Sequence, residues 1–190
     1  MLARIVHETS MPTGDLDAVV AGVHAIGQQL YGVQGLEPVL QQTNLDEALP
    51  SLPTGQVDAS AILSEFPAFA TGELLVFATQ RDLGHRSVNF LFGLSTVGKA
   101  IFSSHRVEGV ALTGLVTHEI GHAFGLVNPE ASNYNARSRF IGHCMNECVM
   151  TPVNTHAEMV QASQMIRERP RTSGFCDPCA DTLRHTTISR

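Results

Sequence analysis

The feature that most restricts how this chain can fold is a pair of histidines four residues apart, in the stretch His118-Glu119-Ile120-Gly121-His122. The apolar residues around this stretch predict a helix from about Glu108 to Phe124, which Gly125 would end. On a helix, residues four apart lie one above the other, so both imidazoles can reach one metal ion. The sequence therefore predicts that this helix carries a metal site.

The residue types in this stretch suit zinc, with Glu119 as a general base. Zinc bound by histidines lowers the pKa of a water molecule to about 7 and polarises a carbonyl group. Glu119 is rotated toward such a water, so it can take the water's proton and pass it to a departing amine. The pattern is typical of peptide-bond hydrolysis. The alternative is a surface helix with two unrelated histidines, which the apolar surroundings of the motif disfavour.

The third zinc ligand lies further along the chain. Gly125 extends the motif to the form in which a sharp turn brings a third ligand beneath the metal. Three residues later stands Asn128, whose amide binds zinc less well than imidazole, and the next histidine is His143. We predict His143 as the ligand and keep Asn128 as the alternative. The polar segment 128–142 predicts a long exposed loop, a rim or lid beside the cleft, where Tyr134 would meet substrate.

Four cysteines follow in two close pairs, Cys144 with Cys148 and Cys176 with Cys179. These spacings are typical of zinc sites, and four thiolates predict a closed structural one. The alternatives are two disulfides, or a redox-active pair at Cys176 and Cys179. The sequence starts with a strand-like segment and shows no secretory signal, so we expect a cytoplasmic protein, in which paired cysteines are more often metal ligands.

Together these elements resemble the archaemetzincins, metzincin-clan zinc peptidases that carry a second zinc ion on four cysteines. The resemblance rests on the predicted zinc-binding helix and on three further elements: His143-Cys144, Cys148-Val149-Met150 and Phe175-Cys176-Asp177-Pro178-Cys179. The chain departs from the family pattern in the insertion before His143 and in a first cysteine pair that is one residue closer.

The resemblance implies a metzincin-like peptidase fold and a role for Met150. In such a fold the active-site helix is followed by a small C-terminal part of helices and loops that zinc stabilises. Met150 would be the methionine beneath the catalytic zinc, which packs under the imidazoles without binding the metal. The resemblance also implies two zinc ions per chain, one catalytic and one structural. It leaves open whether the enzyme is an endopeptidase or an aminopeptidase.

The rest of the sequence predicts alternating strands and helices. Strands are predicted near Ile5 and Val39 and over 74–78, 88–94 and 99–104, and helices over 16–30, 58–66 and from Thr155 to before Pro170. His85 falls in a predicted loop. The fold class is α+β, or α/β with a mixed sheet. A chain of 190 residues predicts one domain, with an N-terminal subdomain over about 1–126 and a C-terminal one over about 127–190.

Composition and strand pattern restrict the partners. A net charge of −6 disfavours nucleic acid, and no apolar run reaches the length of a membrane span. A peptide or protein substrate would pair in extended form with a strand edge, for which we predict Asn89, Phe90, Leu91 and Phe92. The alternative function is a catalytically degenerate zinc protein that binds peptides or other partners. Glu119 argues against it, because a purely structural metal site needs no carboxylate beside its first histidine.

Overall fold

The protein is described from a computed structural model, over residues 2–30, 37–42, 49–65, 73–85, 88–138 and 142–185. Within these ranges the elements are, in chain order, β1 Leu2–His7, α1 Thr13–Gly27, β2 Glu37–Gln42, β3 Val57–Asp58, α2 Ala59–Glu65, β4 Glu73–Thr79, β5 Leu83–His85, β6 Val88–Leu91, β7 Gly93–Thr96, β8 Lys99–Ser103, α3 Gly109–Ala123, α4 His156–Glu168 and α5 Asp177–His185. No helix in this part of the chain is both long and apolar enough to cross a bilayer.

Two sheets form the β part of the molecule. The main sheet has the strand order β2-β1-β4-β8-β7, in which β7 is antiparallel to β8 and the other neighbours are parallel. The smaller sheet has the order β3-β5-β6. Parallel and antiparallel pairs in one sheet, with helices on both of its faces, confirm the predicted α+β class with a mixed sheet.

The two faces of the main sheet build two hydrophobic clusters, because side chains alternate along each strand. On one face, residues such as Ile5 and Val76 pack against α1 and α3, and the same cluster includes Met159 and Leu183 from α4 and α5. On the other face, Phe77 packs in a cluster with residues of α2. Each such buried side chain contributes about 1.5–3 kcal/mol. Helix α3 is thus held at the centre, while the proposed division near residue 126 stays a prediction.

Two differences from the predicted elements bear on the cleft. The single strand predicted over 88–94 is two strands in different sheets, since β6 pairs with β5 and β7 pairs with β8. The chain changes sheets at Phe92, and the apolar pattern does not reveal this because the apolar run 90–92 continues through that point. The loop prediction for His85 was wrong, because this residue ends strand β5.

Candidate metal centres and cleft

Helix α3 carries the predicted histidine motif and packs between α1 and α4. The Nε2 atoms of His118 and His122 lie 3.0 Å apart, so the two imidazoles face one point as the spacing of four predicts. Gly125 adopts a φ of 72°, the left-handed conformation that ends many helices. After Gly125 the chain turns away from the helix, and it returns to the histidines at residue 142.

His143 joins these two histidines. Its ring centroid lies 5.3 Å from that of His118 and 5.2 Å from that of His122. One possible ligand atom from each of the three residues lies within 4.8 Å of the others. Asn128 lines the same cleft, but its side-chain oxygen accepts a hydrogen bond from the Glu130 amide at 3.0 Å, which closes a local turn. The structure therefore brings His143 into the cluster and leaves Asn128 in a turn.

Hydrogen bonding and burial prepare the imidazoles for a cation. His118 Nδ1 donates to the Val149 carbonyl at 2.8 Å, so its Nε2 lone pair faces the cluster. Burial, and next the proximity of His122, hold the pKa of His118 well below its usual value. Burial, and next His143, lower the pKa of His122 to about 4. Neutral imidazoles with unprotonated nitrogens are the form that binds metal.

The three histidines fit zinc. A tetrahedral zinc ion with Zn–N bonds of about 2.0–2.1 Å separates its nitrogen ligands by about 3.3 Å. The observed 3.0 Å between the Nε2 atoms of His118 and His122 is close to this separation. Three protein ligands also leave a fourth position for water, as in catalytic zinc sites.

The carboxylate of Glu119 is fixed from two sides. The Ser95 hydroxyl donates to Glu119 Oε2, and it also lies 2.8 Å from the Glu119 backbone oxygen. Strand β7 passes so close that a Cβ atom added to Gly93 would lie 2.6 Å from Glu119 Cγ and 2.8 Å from Oε1. Burial raises the pKa of Glu119 to about 7, against the opposing effect of Ser95. Such a carboxylate is poised to accept a proton near neutral pH.

The contacts of Ser95 and Gly93 with Glu119 were not predicted from the sequence. The available signal was a glycine inside an apolar strand pattern, which often marks a close approach of other groups to the backbone. That signal gives no partner, because Glu119 lies more than twenty residues away in the chain.

Met150 lies directly beneath the histidine helix. A Cβ atom added to Gly121, which lies between His118 and His122 in sequence, would collide with Met150 Sδ. Met150 is fully buried, and so is its neighbour Val149, whose carbonyl accepts the hydrogen bond from His118. Met150 therefore packs against the turn of α3 that carries the two histidines, and its role as the methionine beneath the zinc stays a prediction.

A cleft of about 780 Å³ opens beside the three histidines. Its lining includes Glu119 and Ser95, and Phe90, Leu91 and Phe92 of the predicted substrate-binding segment. The side chain of Asn89, also predicted for this role, lies outside the described residues. His85 lines the cleft as well. The edge strands of both sheets thus border the candidate catalytic residues.

The segment after α3 follows the predicted exposed rim only in part. Among its described residues, Asn128, Pro129 and Gly142 line the cleft, whereas Tyr134 does not. Tyr134 packs against the main hydrophobic cluster, and Asn133 is only 4% exposed. The polar composition predicts exposure, but these side chains turn inward because they meet groups from other parts of the chain.

The four cysteines form a second cluster. Their Sγ atoms lie within 4.8 Å of one another, and all four are free thiols. Cys144 Sγ and Cys176 Sγ are 3.6 Å apart, close to the roughly 3.8 Å between thiolates on tetrahedral zinc. A disulfide needs about 2.05 Å. Cys148 lowers the pKa of Cys144 to about 7, while Cys144 raises that of Cys148. The cluster fits zinc rather than disulfides.

Solved structures share this arrangement of elements. An archaemetzincin from Methanopyrus kandleri matches 96% of this chain and 93% of its own, with a TM-score of 0.68 and 21% identity. The chain has the archaemetzincin fold. The archaemetzincin from Archaeoglobus fulgidus, solved with malonate, matches 95% of this chain and 99% of its own, with a TM-score of 0.66 and 18% identity.

A third solved structure with a similar fold is a zinc-dependent peptidase from Methanocorpusculum labreanum. It matches 96% of this chain and all of its own chain, with a TM-score of 0.63 and 20% identity. No protein-family model and no curated protein sequence matches this chain. The likeness establishes the fold, whereas the activity depends on the residues of the cleft.

Proposed function

We propose that this protein is a zinc-dependent metallopeptidase with two zinc ions per chain. The catalytic zinc ligands are His118, His122 and His143, and the structural zinc ligands are Cys144, Cys148, Cys176 and Cys179. The observation that carries the proposal is that the three histidines and Glu119 line one open cleft. A degenerate zinc protein would have no need of a fixed carboxylate there, so the structure gives that alternative no support.

The chain's own residues would divide the work of hydrolysis. Zinc bound to the histidines supplies a water of lowered pKa and polarises the scissile carbonyl. Glu119 accepts the water's proton at a carboxylate oxygen and then donates it to the departing amine. Ser95 holds that carboxylate in place, so little reorganisation precedes proton transfer. Val149 keeps His118 in the tautomer that presents Nε2.

The apolar side of the cleft suits an extended, uncharged stretch of peptide. Phe90 remains 57% exposed on the rim, under the guanidinium of Arg106 at 4.3 Å from the ring centre. Arg106 is itself held by a two-point ion pair with Asp82, at 2.9 and 3.0 Å. Because this rim is fixed in advance, binding an apolar substrate side chain there costs little ordering.

The charge of the cleft favours cleavage of internal bonds. An aminopeptidase must hold the substrate's α-ammonium group beside the scissile bond, and an unpaired buried charge is costly. Among the described residues that line the cleft, Glu119 is the one carboxylate, and it is committed to the water. The neighbouring segments 86–87 and 139–141 contain no Asp or Glu in sequence. The finer proposal is therefore an endopeptidase.

The direct test uses a fluorogenic peptide of apolar residues, blocked by N-acetyl and C-amide groups. We expect zinc-loaded protein to cleave it, a chelator to stop cleavage, and added zinc to restore it. A single-residue aminoacyl amide with a free amino group is the matched substrate, and we expect it to be cut at least tenfold more slowly. Faster cleavage of the aminoacyl amide than of the blocked peptide would contradict the endopeptidase assignment. If neither substrate is cleaved in a chelator-sensitive way, the peptidase proposal is wrong.

Gly93→Ala is expected to lower activity about tenfold or more without loss of zinc. The added Cβ has to displace the Glu119 side chain, and small misplacements of a catalytic group are costly. Gly14→Ala is the control, since a Cβ there meets nothing within 4 Å. Steady-state kinetics and zinc content of both variants check this. Wild-type kcat in Gly93→Ala would show that the close approach of β7 to Glu119 has no catalytic consequence.

A further inference from the structure

The segment 128–138, which follows α3 and precedes the cysteine cluster, contacts a ligand of the histidine centre. Ser138 Oγ lies 2.8 Å from His143 Nδ1. A hydrogen bond at Nδ1 fixes the ring's rotation and leaves Nε2 for the cluster. Ser138 thus does for His143 what the Val149 carbonyl does for His118. Ser138 lies within the insertion that precedes His143, so the insertion is tied to the site it was expected to cover.

The same segment also contacts the cysteine cluster. The side-chain amide nitrogen of Asn133 lies 3.1 Å from Cys144 Sγ and 3.0 Å from Cys179 Sγ, and 3.7 Å from Cys176 Sγ. Four thiolates around one zinc ion carry a net charge of about −2. Hydrogen bonds to ionised sulfur are charge-assisted, and a buried charge without such donors is costly. Asn133, at 4% exposure, is in a position to supply them.

Backbone hydrogen bonds join the segment that carries Asn133 and Ser138 to the stretch that carries the metal ligands. The Asn135 amide donates to the His143 carbonyl at 2.8 Å, and the Met145 amide donates to the Asn133 carbonyl at 2.8 Å. Tyr134 and Cys144 form an antiparallel bridge between these bonds. The residues around Tyr134 therefore pair, like a short strand, with the stretch that contains His143 and Cys144.

We propose that segment 128–138 positions the ligands of both metal centres, through Ser138 at His143 and through Asn133 at the thiolates of Cys144 and Cys179. It joins the two centres as one unit. This rests on the proposed function only in requiring zinc at both clusters. Ser138 and Asn133 are positioning residues, because they act through the ligands and do not touch substrate.

The test measures metal binding at each centre separately, by competition with a chromophoric chelator and by the spectrum of cobalt(II)-substituted protein. Thiolate-to-cobalt charge transfer reports the cysteine centre alone. We expect Ser138→Ala to weaken zinc at the histidine centre about 10–100-fold and to leave the charge-transfer band intact. Ser138→Thr, which retains a hydroxyl, should restore most of the affinity. Ser132→Ala, the same change at an exposed serine of the segment, should have no effect.

Asn133→Ala is expected to weaken metal at the cysteine centre by a similar factor. The matched control is Asn135→Ala. The native Asn135 side chain accepts a hydrogen bond from the Arg137 amide and does not face sulfur. Unchanged affinities in both Ser138→Ala and Asn133→Ala would overturn the inference even if the wild type cleaves peptides. The expected shifts in a protein without peptidase activity would uphold the inference and refute the proposed function. A wild type that binds no zinc would refute both.

Discussion

Glu119→Gln is expected to lower kcat for peptide cleavage by about 10²–10⁴-fold, the contribution typical of general acid–base catalysis. Glutamine keeps the shape of the side chain beside Gly93 and Ser95, so the packing of the cleft is preserved. It cannot accept the proton of the water. The proposed zinc ligands are the three clustered histidines and do not include Glu119. The zinc content should therefore stay at the wild-type value.

Kinetics with the blocked peptide, together with elemental analysis of the same samples, measure this effect. Glu130→Gln is the matched control, since it makes the same change on an exposed side chain near the cleft and should retain wild-type kcat. Activity within a few-fold of wild type in Glu119→Gln would show that another group takes the proton. Loss of zinc in that variant would show that the carboxylate has a role in metal binding.

His143→Ala is expected to remove zinc from the histidine centre and, with it, peptidase activity. The change leaves two protein ligands, His118 and His122, where a catalytic zinc site has three. Zinc content after dialysis should fall from about two ions per chain toward about one, because the cysteine centre keeps its four thiolates. Activity should fall by about 10²-fold or more, in keeping with the loss of the metal-bound water.

Asn128→Ala separates the two candidates for the third ligand. The Asn128 side-chain oxygen closes a turn with the Glu130 amide. The alanine variant should lose this turn but retain both zinc ions and the activity. The reverse pattern, with zinc lost in Asn128→Ala and retained in His143→Ala, would assign the ligand to Asn128. Elemental analysis and blocked-peptide kinetics on both variants distinguish these outcomes.

The sequence predicted best those features that depend on neighbouring residues. Helix α3 ends within one residue of its predicted boundary, since the cap at Gly125 is a local backbone signal. Helix α4 begins after Thr155, close to its predicted start, where Thr155 and Glu158 bond each other's backbone amides in a capping box. The spacing of four in the histidine motif likewise predicted the common direction of two imidazoles, because helical geometry alone determines it.

Features that depend on distant contacts were not predictable in this way. The sheet change at Phe92 depends on which strands stand beside β6 and β7, and the roles of Gly93 and Ser95 depend on the approach of α3. The inward turn of Asn133 depends on cysteines from two later segments. The contacts of Gly93, Ser95 and Asn133 join residues more than ten positions apart in the chain, so no local periodicity records them.

Helix α5 was missed for a different reason. It begins at Asp177 and Pro178, and an acidic residue with proline in the first turn is a helix-start signal. The same residues lie inside the close pair Cys176 and Cys179, which we interpreted as zinc ligands without assigning a helix. The structure contains both the helix and the cysteine cluster, because the helix begins within the cluster and fixes the direction of Cys179.

Anomalous diffraction at the zinc edge, from crystals of protein purified without chelator, tests the central claim most directly. We expect two peaks in each chain. One should lie about 2.0–2.1 Å from nitrogens of His118, His122 and His143, and the other about 2.3 Å from the sulfurs of all four cysteines. A single peak, or a peak at the histidines that lies beyond bonding distance of His143, would contradict the account.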